Sequence, residues 1–277
     1  MKTIVHIGLG KTGSTFLQDE IFNKISNINY LGKKTGEYQK WLINLHYLDD
    51  YIFNKEQKDI SREILNLLDE EKINLISSET FTRPGGEIFS QAKRIKNIFD
   101  DAKILLVLRE PIDAILSFYK YNVSQGNITS KLSNSIDITR TPMVFYKRKP
   151  IYLPDFYYDE IINIYTDFFG SENICILKYE DLKNNPSEFF TELSTFIEIE
   201  LDINDIKEKL NIKVNSSPSE DTINTLRART LYKKLKEEFP KSTIKLEDIK
   251  VENNLIMSEK LRIKLVENLK GKCFGYY

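Results

Sequence analysis

A β-branched run that ends on glycine dominates the start of this chain. Ile4, Val5 and Ile7 give way at Gly8, and Gly10, Lys11, Thr12, Gly13, Ser14 and Thr15 follow. Past them, Phe16, Leu17, Ile21, Phe22 and Ile25 recur at near-helical spacing. The pattern predicts strand, glycine turn and helix, with a lysine and three hydroxyls gathered at the turn. Such a turn aims backbone N–H groups and the positive end of a helix dipole at one place, which suits a phosphate or sulfate group.

The nucleotide-triphosphate loop G-x-x-x-x-G-K-[ST] sets its lysine after the second glycine. Here the order is reversed, Lys11 preceding Gly13. No apolar strand ends in an aspartate to hold magnesium, since ILLVL runs into Arg109 and NLISS into Glu79. The loop therefore fits an anion without the usual means of holding a metal–triphosphate. The plain structural alternative is a tight βα turn with an incidental lysine.

Composition narrows the field. A chain of 277 residues can bury one large α/β core or two smaller ones. Forty basic residues against 41 acidic ones leave a net charge of −1, so nothing global points to nucleic acid or an anionic membrane. No apolar run approaches the ~18–20 residues of a membrane span. The first strand starts within a few residues of Met1, leaving no room for a signal peptide, and a cytoplasmic protein is expected. Cys175 and Cys273 lack metal-ligand spacing and are expected as reduced thiols. With two cysteines and two histidines in all, no metal site is expected.

Along the chain, NINYLGKKTGEYQ is a polar loop with room for a short strand, and residues 41–53, which contain His46, suit a buried helix. Ile60, Ile64, Leu67 and Leu68 mark an amphipathic helix over 59–69. INLISSETF (73–81) is a buried strand ending at Glu79, closed by Arg83-Pro84-Gly85-Gly86. A basic helix near 88–99 leads to KILLVL (103–108), whose unbroken apolar character argues for burial on both faces in a parallel sheet. Arg109-Glu110-Pro111 then opens a helix bearing Ser117. Residues 118–158 form an excursion, either a lid or an ordered insertion, rich in aromatic residues and carrying Arg140, Lys147, Arg148 and Lys149. A helix near 155–169, a strand at 172–179 and helices near 186–198, 222–239 and 258–269 complete the chain as one domain with a helical C-terminal part from 200. Alternating strands and helices predict a three-layer α/β fold, a central mainly parallel sheet flanked by helices. Ligands bind such sheets at the carboxyl ends of strands, where the 8–15 turn, Glu79 and Arg109 all fall.

Three stretches resemble one family. HIGLGKTGSTFLQ is similar to the 5′-phosphosulfate loop of sulfotransferases that use 3′-phosphoadenosine 5′-phosphosulfate (PAPS). LVLREPIDAILSFY resembles their 3′-phosphate motif, an arginine at a strand end and a serine eight residues on, here Arg109 and Ser117. KYEDLKNNPSEFFTELSTFI resembles the stretch whose tyrosine approaches the adenine, here Tyr179. The resemblance spans positions 6–197 and implies a P-loop-like fold and sulfuryl transfer from PAPS, with PAP as product and no metal. It assigns Gly10, Lys11, Thr12, Gly13, Ser14 and Thr15 to the phosphosulfate, and Arg109, Ser117 and Tyr179 to the rest of the nucleotide. Lys11 is placed to neutralise charge growing on the leaving phosphate oxygens.

A base must take the acceptor's proton. Glu79 stands where the phenol- and steroid-sulfating relatives carry a catalytic histidine, while the heparan-type relatives take a glutamate from an earlier segment, where Glu37 and His46 lie here. Glu79 and His46 are the leading candidates, Glu37 the third, and His6 is expected to be structural. For Glu79 the structural alternative is a salt bridge to Lys11 or Arg83, and for His46 a packed helix histidine. The family's glycine-rich loop over the 3′-phosphate is missing, and residues 213–219, with Asn215 and Ser216, occupy a comparable place. A carboxylate base and likeness to the heparan-type and bacterial branches favour a carbohydrate or glycolipid acceptor. A non-catalytic PAP-binding protein and a nucleotide kinase are the alternatives, and oligomeric state is left open.

Overall fold

Along the described residues the strands are β1 (Lys2–His6), β2 (Ile28–Leu31), β3 (Ile73–Ser77), β4 (Lys103–Leu108), β5 (Ile136–Asp137), β6 (Ile151–Tyr152) and β7 (Ile174–Lys178). Five of them form one parallel sheet in the order β2-β3-β1-β4-β7, so β1 lies at its centre. The computed structural model describes residues 2–32, 45–46, 48–82, 88–138, 151–212, 219–249, 251 and 257–276. Two units emerge: Met1–Glu110 with Tyr157–Val214, and Pro111–Phe156 with Asn215–Tyr277.

The first unit holds the sheet. Side chains alternate across it, so Ile4, Leu75, Leu105, Val107, Cys175 and Leu177 face one layer and Val5, Ile76, Ile104 and Leu106 the other. On the first face Leu17, Ile21 and Phe22 pack with Phe189, Phe190, Leu193 and Ile197 of the Pro186–Ile197 helix. Each large apolar side chain sealed there contributes about 1.5–3 kcal/mol. The other face is served by the Ile88–Ile98 and Tyr158–Phe169 helices, which pack on each other. In the second unit the Pro111–Ser124 helix packs against the Glu220–Glu238 and Glu259–Leu269 helices. Arg227 there donates from Nε to Thr129 O at 3.0 Å and from Nη1 to Asn224 Oδ1 at 3.2 Å.

Several boundaries differ from the sequence expectation. The first helix is a compound run, Ser14–Phe16, then a π-helical stretch Leu17–Ile21, then a 3₁₀ turn Phe22–Lys24. Widening the turn draws Leu17, Gln18, Ile21 and Phe22 onto one inward arc. The short strand allowed near residue 30 is β2, at one sheet edge. The helix expected over 59–69 starts at Asp50, because the Asp49 carboxylate caps it by accepting from Tyr51 N at 2.8 Å. That cap also breaks the helix expected over 41–53, whose residues 41–44 and 47 lie outside the described residues. Strand β3 ends at Ser77, and Glu79 opens a 3₁₀ turn, Glu79–Thr82. Tyr179 likewise starts the Tyr179–Asn184 helix instead of closing β7. The Ile203–Ile212 helix falls in the part from 200 expected to be helical, ahead of the helices placed near 222–239 and 258–269. Of the excursion, residues 139–150, with Arg140, Lys147, Arg148 and Lys149, lie outside the described residues, as do Glu37, Arg83, Asn215 and Ser216.

Candidate active site

Strand β1 launches the loop from mid-sheet. Beyond its last residue the chain keeps pairing with β4, Ile7 N donating to Leu105 O at 3.0 Å and Val107 N to Gly8 O at 3.1 Å. Gly8, Lys11 and Gly13 then take positive φ values of 94°, 71° and 86°. At Gly8 a Cβ would lie 2.9 Å from Glu79 Cα, and at Gly13 one would lie 2.9 Å from Leu182 Cδ2 and 3.3 Å from the Tyr179 ring. Glycine is therefore required at both ends of the loop by close approach as well as by φ. The buried Thr12 and Ser14 hydroxyls both donate to Leu9 O, at 2.7 and 2.9 Å. They tie the loop together, while Thr15 is exposed. Gly13 O accepts from Phe16 N at 2.9 Å and Leu17 N at 3.1 Å, starting a helical run whose first-turn N–H groups have no intrahelical acceptor.

Lys11, Glu79 and Arg109 are brought together here. Glu79 Oε2 sits 3.6 Å from the point a Gly10 Cβ would occupy. Half-burial pushes the Lys11 ammonium below the usual lysine range, the Glu79 carboxylate draws it back up, and the Arg109 guanidinium pushes it down. Arg109 Nη1 donates to Lys11 O at 3.0 Å, bridging motifs 98 positions apart. The guanidinium carbon lies 4.7 Å from the centre of the Tyr179 ring, and Lys183 Nζ lies 4.9 Å from it. Tyr158 donates its hydroxyl to Arg109 O at 2.8 Å, which fixes the strand end. Arg109 Nε is buried with no hydrogen-bond partner among the described residues. A buried cation donor left open beside a glycine cradle fits an anionic ligand. Under the loop, His6 Nδ1 meets Ser77 Oγ at 2.7 Å, and Gln18 Nε2 donates to the same oxygen at 2.9 Å.

His46 lies beside the turn that carries Glu79. Its Nε2 is hydrogen-bonded to Thr80 Oγ1, which is also hydrogen-bonded to Ser78 Oγ. Its ring lies 5.0 Å from that of Phe81. Two residues unnoticed in the sequence, Gln91 and Arg94, clamp this corner from the Ile88–Ile98 helix. Gln91 spans His46 and the carbonyls of Thr80 and Phe81. Arg94 donates to Leu45 O at 2.8 Å, to Leu48 O at 2.7 Å and to Asp50 Oδ1 at 2.5 Å, with its guanidinium 4.8 Å from the Phe53 ring. The available signal was a glutamine and an arginine, three apart, on the face that also carries Ala92, Ile95 and Ile98. Ser117 lies half-buried on the Pro111–Ser124 helix of the second unit.

These features define a P-loop-like α/β protein with a glycine loop, lysine and strand-end arginine assembled at the carboxyl ends of the central strands. The sulfotransferase domain family matches residues 2–262, and the chain belongs to that family. Comparison with curated protein sequences finds no match. Among solved structures, a sulfotransferase from Alicyclobacillus acidocaldarius shares the fold at 19% identity and a TM-score of 0.52, over 76% of this chain and 90% of that one. The mouse sulfotransferase SULT7A1, solved with PAP, aligns at 14% identity and a TM-score of 0.47, over 98% of this chain and 84% of its own. Among the described residues no helix is long and apolar enough to cross a membrane.

Proposed function

We propose that the chain transfers a sulfuryl group from PAPS to a hydroxyl or amine of an acceptor, by in-line displacement at the β1 loop. The observation that carries this reading is the Arg109–Lys11 hydrogen bond, which brings two anion-binding motifs to one place within the first unit. Family membership supports the reaction class. In the proposed reaction the loop N–H groups and Lys11 hold the 5′-phosphosulfate, and Arg109 takes the 3′-phosphate with its guanidinium. Ser117 keeps the role its motif implies, and Tyr179 orients Arg109 beneath the nucleotide. As the acceptor oxygen bonds to sulfur, the bond from sulfur to the 5′-phosphate oxygen breaks. Negative charge then gathers on that oxygen beside Lys11, where a fixed cation needs no reorganisation. The acceptor proton leaves to a base on the Glu79–Thr82 turn, Glu79 itself or His46 beside it. A carbohydrate or glycolipid hydroxyl is the acceptor class we favour.

Calorimetry with PAP and a transfer assay with labelled PAPS over an acceptor panel test this. PAP should bind wild type, and Lys11→Met should retain binding while losing about 10²–10³-fold in transfer. Failure of PAP to bind would overturn the reading. Tight binding without transfer to any acceptor would make the chain a PAP-binding protein instead.

A further inference from the structure

The hydrogen bonds around His46 run in one chemically fixed direction. Gln91 is buried, and one side-chain amide atom faces the carbonyl oxygens of Thr80 and Phe81, each at 3.1 Å. Carbonyls only accept, so that atom must be the NH2 nitrogen, and the amide oxygen faces His46 Nδ1 at 3.0 Å. An amide oxygen also only accepts, so Nδ1 carries a proton. In the neutral ring Nε2 then holds the lone pair and accepts from the Thr80 hydroxyl. With its proton spent on His46, Thr80 Oγ1 accepts from the Ser78 hydroxyl, and Ser78 Oγ accepts from Thr80 N at 3.2 Å. The chain runs Ser78 to Thr80 to His46, with Gln91 at its far end.

Two further sets of contacts hold it in place. Arg94 holds one carbonyl on each side of His46, those of Leu45 and Leu48. Tyr165 donates its hydroxyl to Phe81 O at 3.0 Å, anchoring the turn on the Tyr158–Phe169 helix. Among the described residues, the charged groups near this chain of hydrogen bonds are Glu79 on the turn and the Arg94–Asp50 pair that meets the His46 segment. Glu79 lies by the Lys11 ammonium and acts on it as a counter-charge.

We propose that Gln91 is a positioning residue for the transfer step: it fixes His46 as the Nδ1–H tautomer and so makes Nε2, reached through the Thr80 hydroxyl, the sink for the acceptor's proton. This rests on the sulfotransferase reading and names its proton acceptor. As the acceptor O–H bond breaks, its electron pair forms the O–S bond. The released proton adds to Thr80 Oγ1 while that oxygen's own proton moves to Nε2. The S–O bond to the 5′-phosphate breaks with its pair remaining on the phosphate oxygen. His46 ends as imidazolium, still donating from Nδ1 to Gln91, and discharges its proton to solvent. Glu79 remains as the counter-charge of Lys11.

With only two histidines in the chain, ¹⁵N-histidine NMR can assign each ring by substituting the other. Wild type with PAP bound should show neutral His46 as the Nδ1–H tautomer, and Gln91→Leu should lose that preference. Thr80→Val should cut kcat by about 10²-fold, the scale of general base catalysis, with KM for PAPS unchanged. Thr80→Ser, which keeps the hydroxyl, should restore it. The limb of the kcat profile that falls at low pH should vanish in Thr80→Val. An Nε2–H tautomer in wild type, or a Thr80→Val profile that superimposes on wild type, would overturn the proposal. Because PAP binding is read separately, normal binding with either of those results sinks this relay and leaves the sulfotransferase reading intact.

Discussion

His6 makes the sheet beneath the loop sensitive to mild acid. It is the last residue of β1, fully buried, paired in register with Ser77 and edge-on to Phe22 with ring centres 5.5 Å apart. Burial pushes its imidazole down from 6.5 to about 4. The unfolded chain takes up this proton as pH falls through 6.5, whereas the folded chain takes it up only near 4. Stability is therefore intact above pH 6.5 and is lost progressively as pH falls toward 4. Each unit of displacement is worth about 1.4 kcal/mol, so the full loss approaches about 3 kcal/mol and the loss at pH 5 about 2 kcal/mol. That is a large share of the roughly 5–15 kcal/mol that holds a domain together. Urea unfolding at pH 7.5 and pH 5.0, on wild type and His6→Gln, isolates the effect, because every other ionisable group is common to both proteins. Wild type should lose about 2 kcal/mol more than the variant between the two pH values. Equal losses would show that His6 does not pass into the fold as a neutral, desolvated ring.

Other expectations concern the site directly. Arg109→Lys keeps the charge but loses the planar fork that reaches Lys11 O and packs by Tyr179, so PAP affinity should fall by about 10–100-fold in calorimetry. Unchanged affinity would remove Arg109 from the nucleotide site. Gly13→Ala forces a Cβ to within 2.9 Å of Leu182 and a left-handed φ that costs about 1–2 kcal/mol, so thermal unfolding should shift down and PAP binding weaken together. An unaltered melting temperature would mean that the loop opens away from Tyr179 without cost.

How much of this could be seen in the sequence depended on how local each determinant was. The glycine turn and KILLVL were legible because a tight turn and a doubly buried strand each write their requirement into consecutive residues. The short INYL strand was harder to see, because an edge strand paired on one side needs no continuous apolar run. Lys11, Glu79 and Arg109 were expected at strand ends and do lie at the carboxyl side of the sheet, yet Glu79 sits past its strand in a 3₁₀ turn. Illegible altogether was the clamp around His46. Arg94 meets Leu45 and Leu48 across more than forty positions of chain, and such pairing leaves no periodic mark. The residues that betray it are polar ones on an otherwise apolar helix face, which only burial separates from solvated surface.

The same distinction explains why the loop's lysine stands ahead of Gly13. In this loop the left-handed positions are Gly8, Lys11 and Gly13, not Gly10. A lysine held at φ 71° is an uncommon conformation for a side chain with a Cβ, and something must hold it there. Arg109 does so from β4 by donating to the Lys11 carbonyl. Glu79, from beyond β3, faces the ammonium of the same residue as its counter-charge. The strand order puts β3 and β4 on either side of β1, so these two groups reach the loop from opposite neighbours. The Lys11 backbone is thereby held from β4, and under the proposed displacement its ammonium would neutralise the leaving phosphate oxygen.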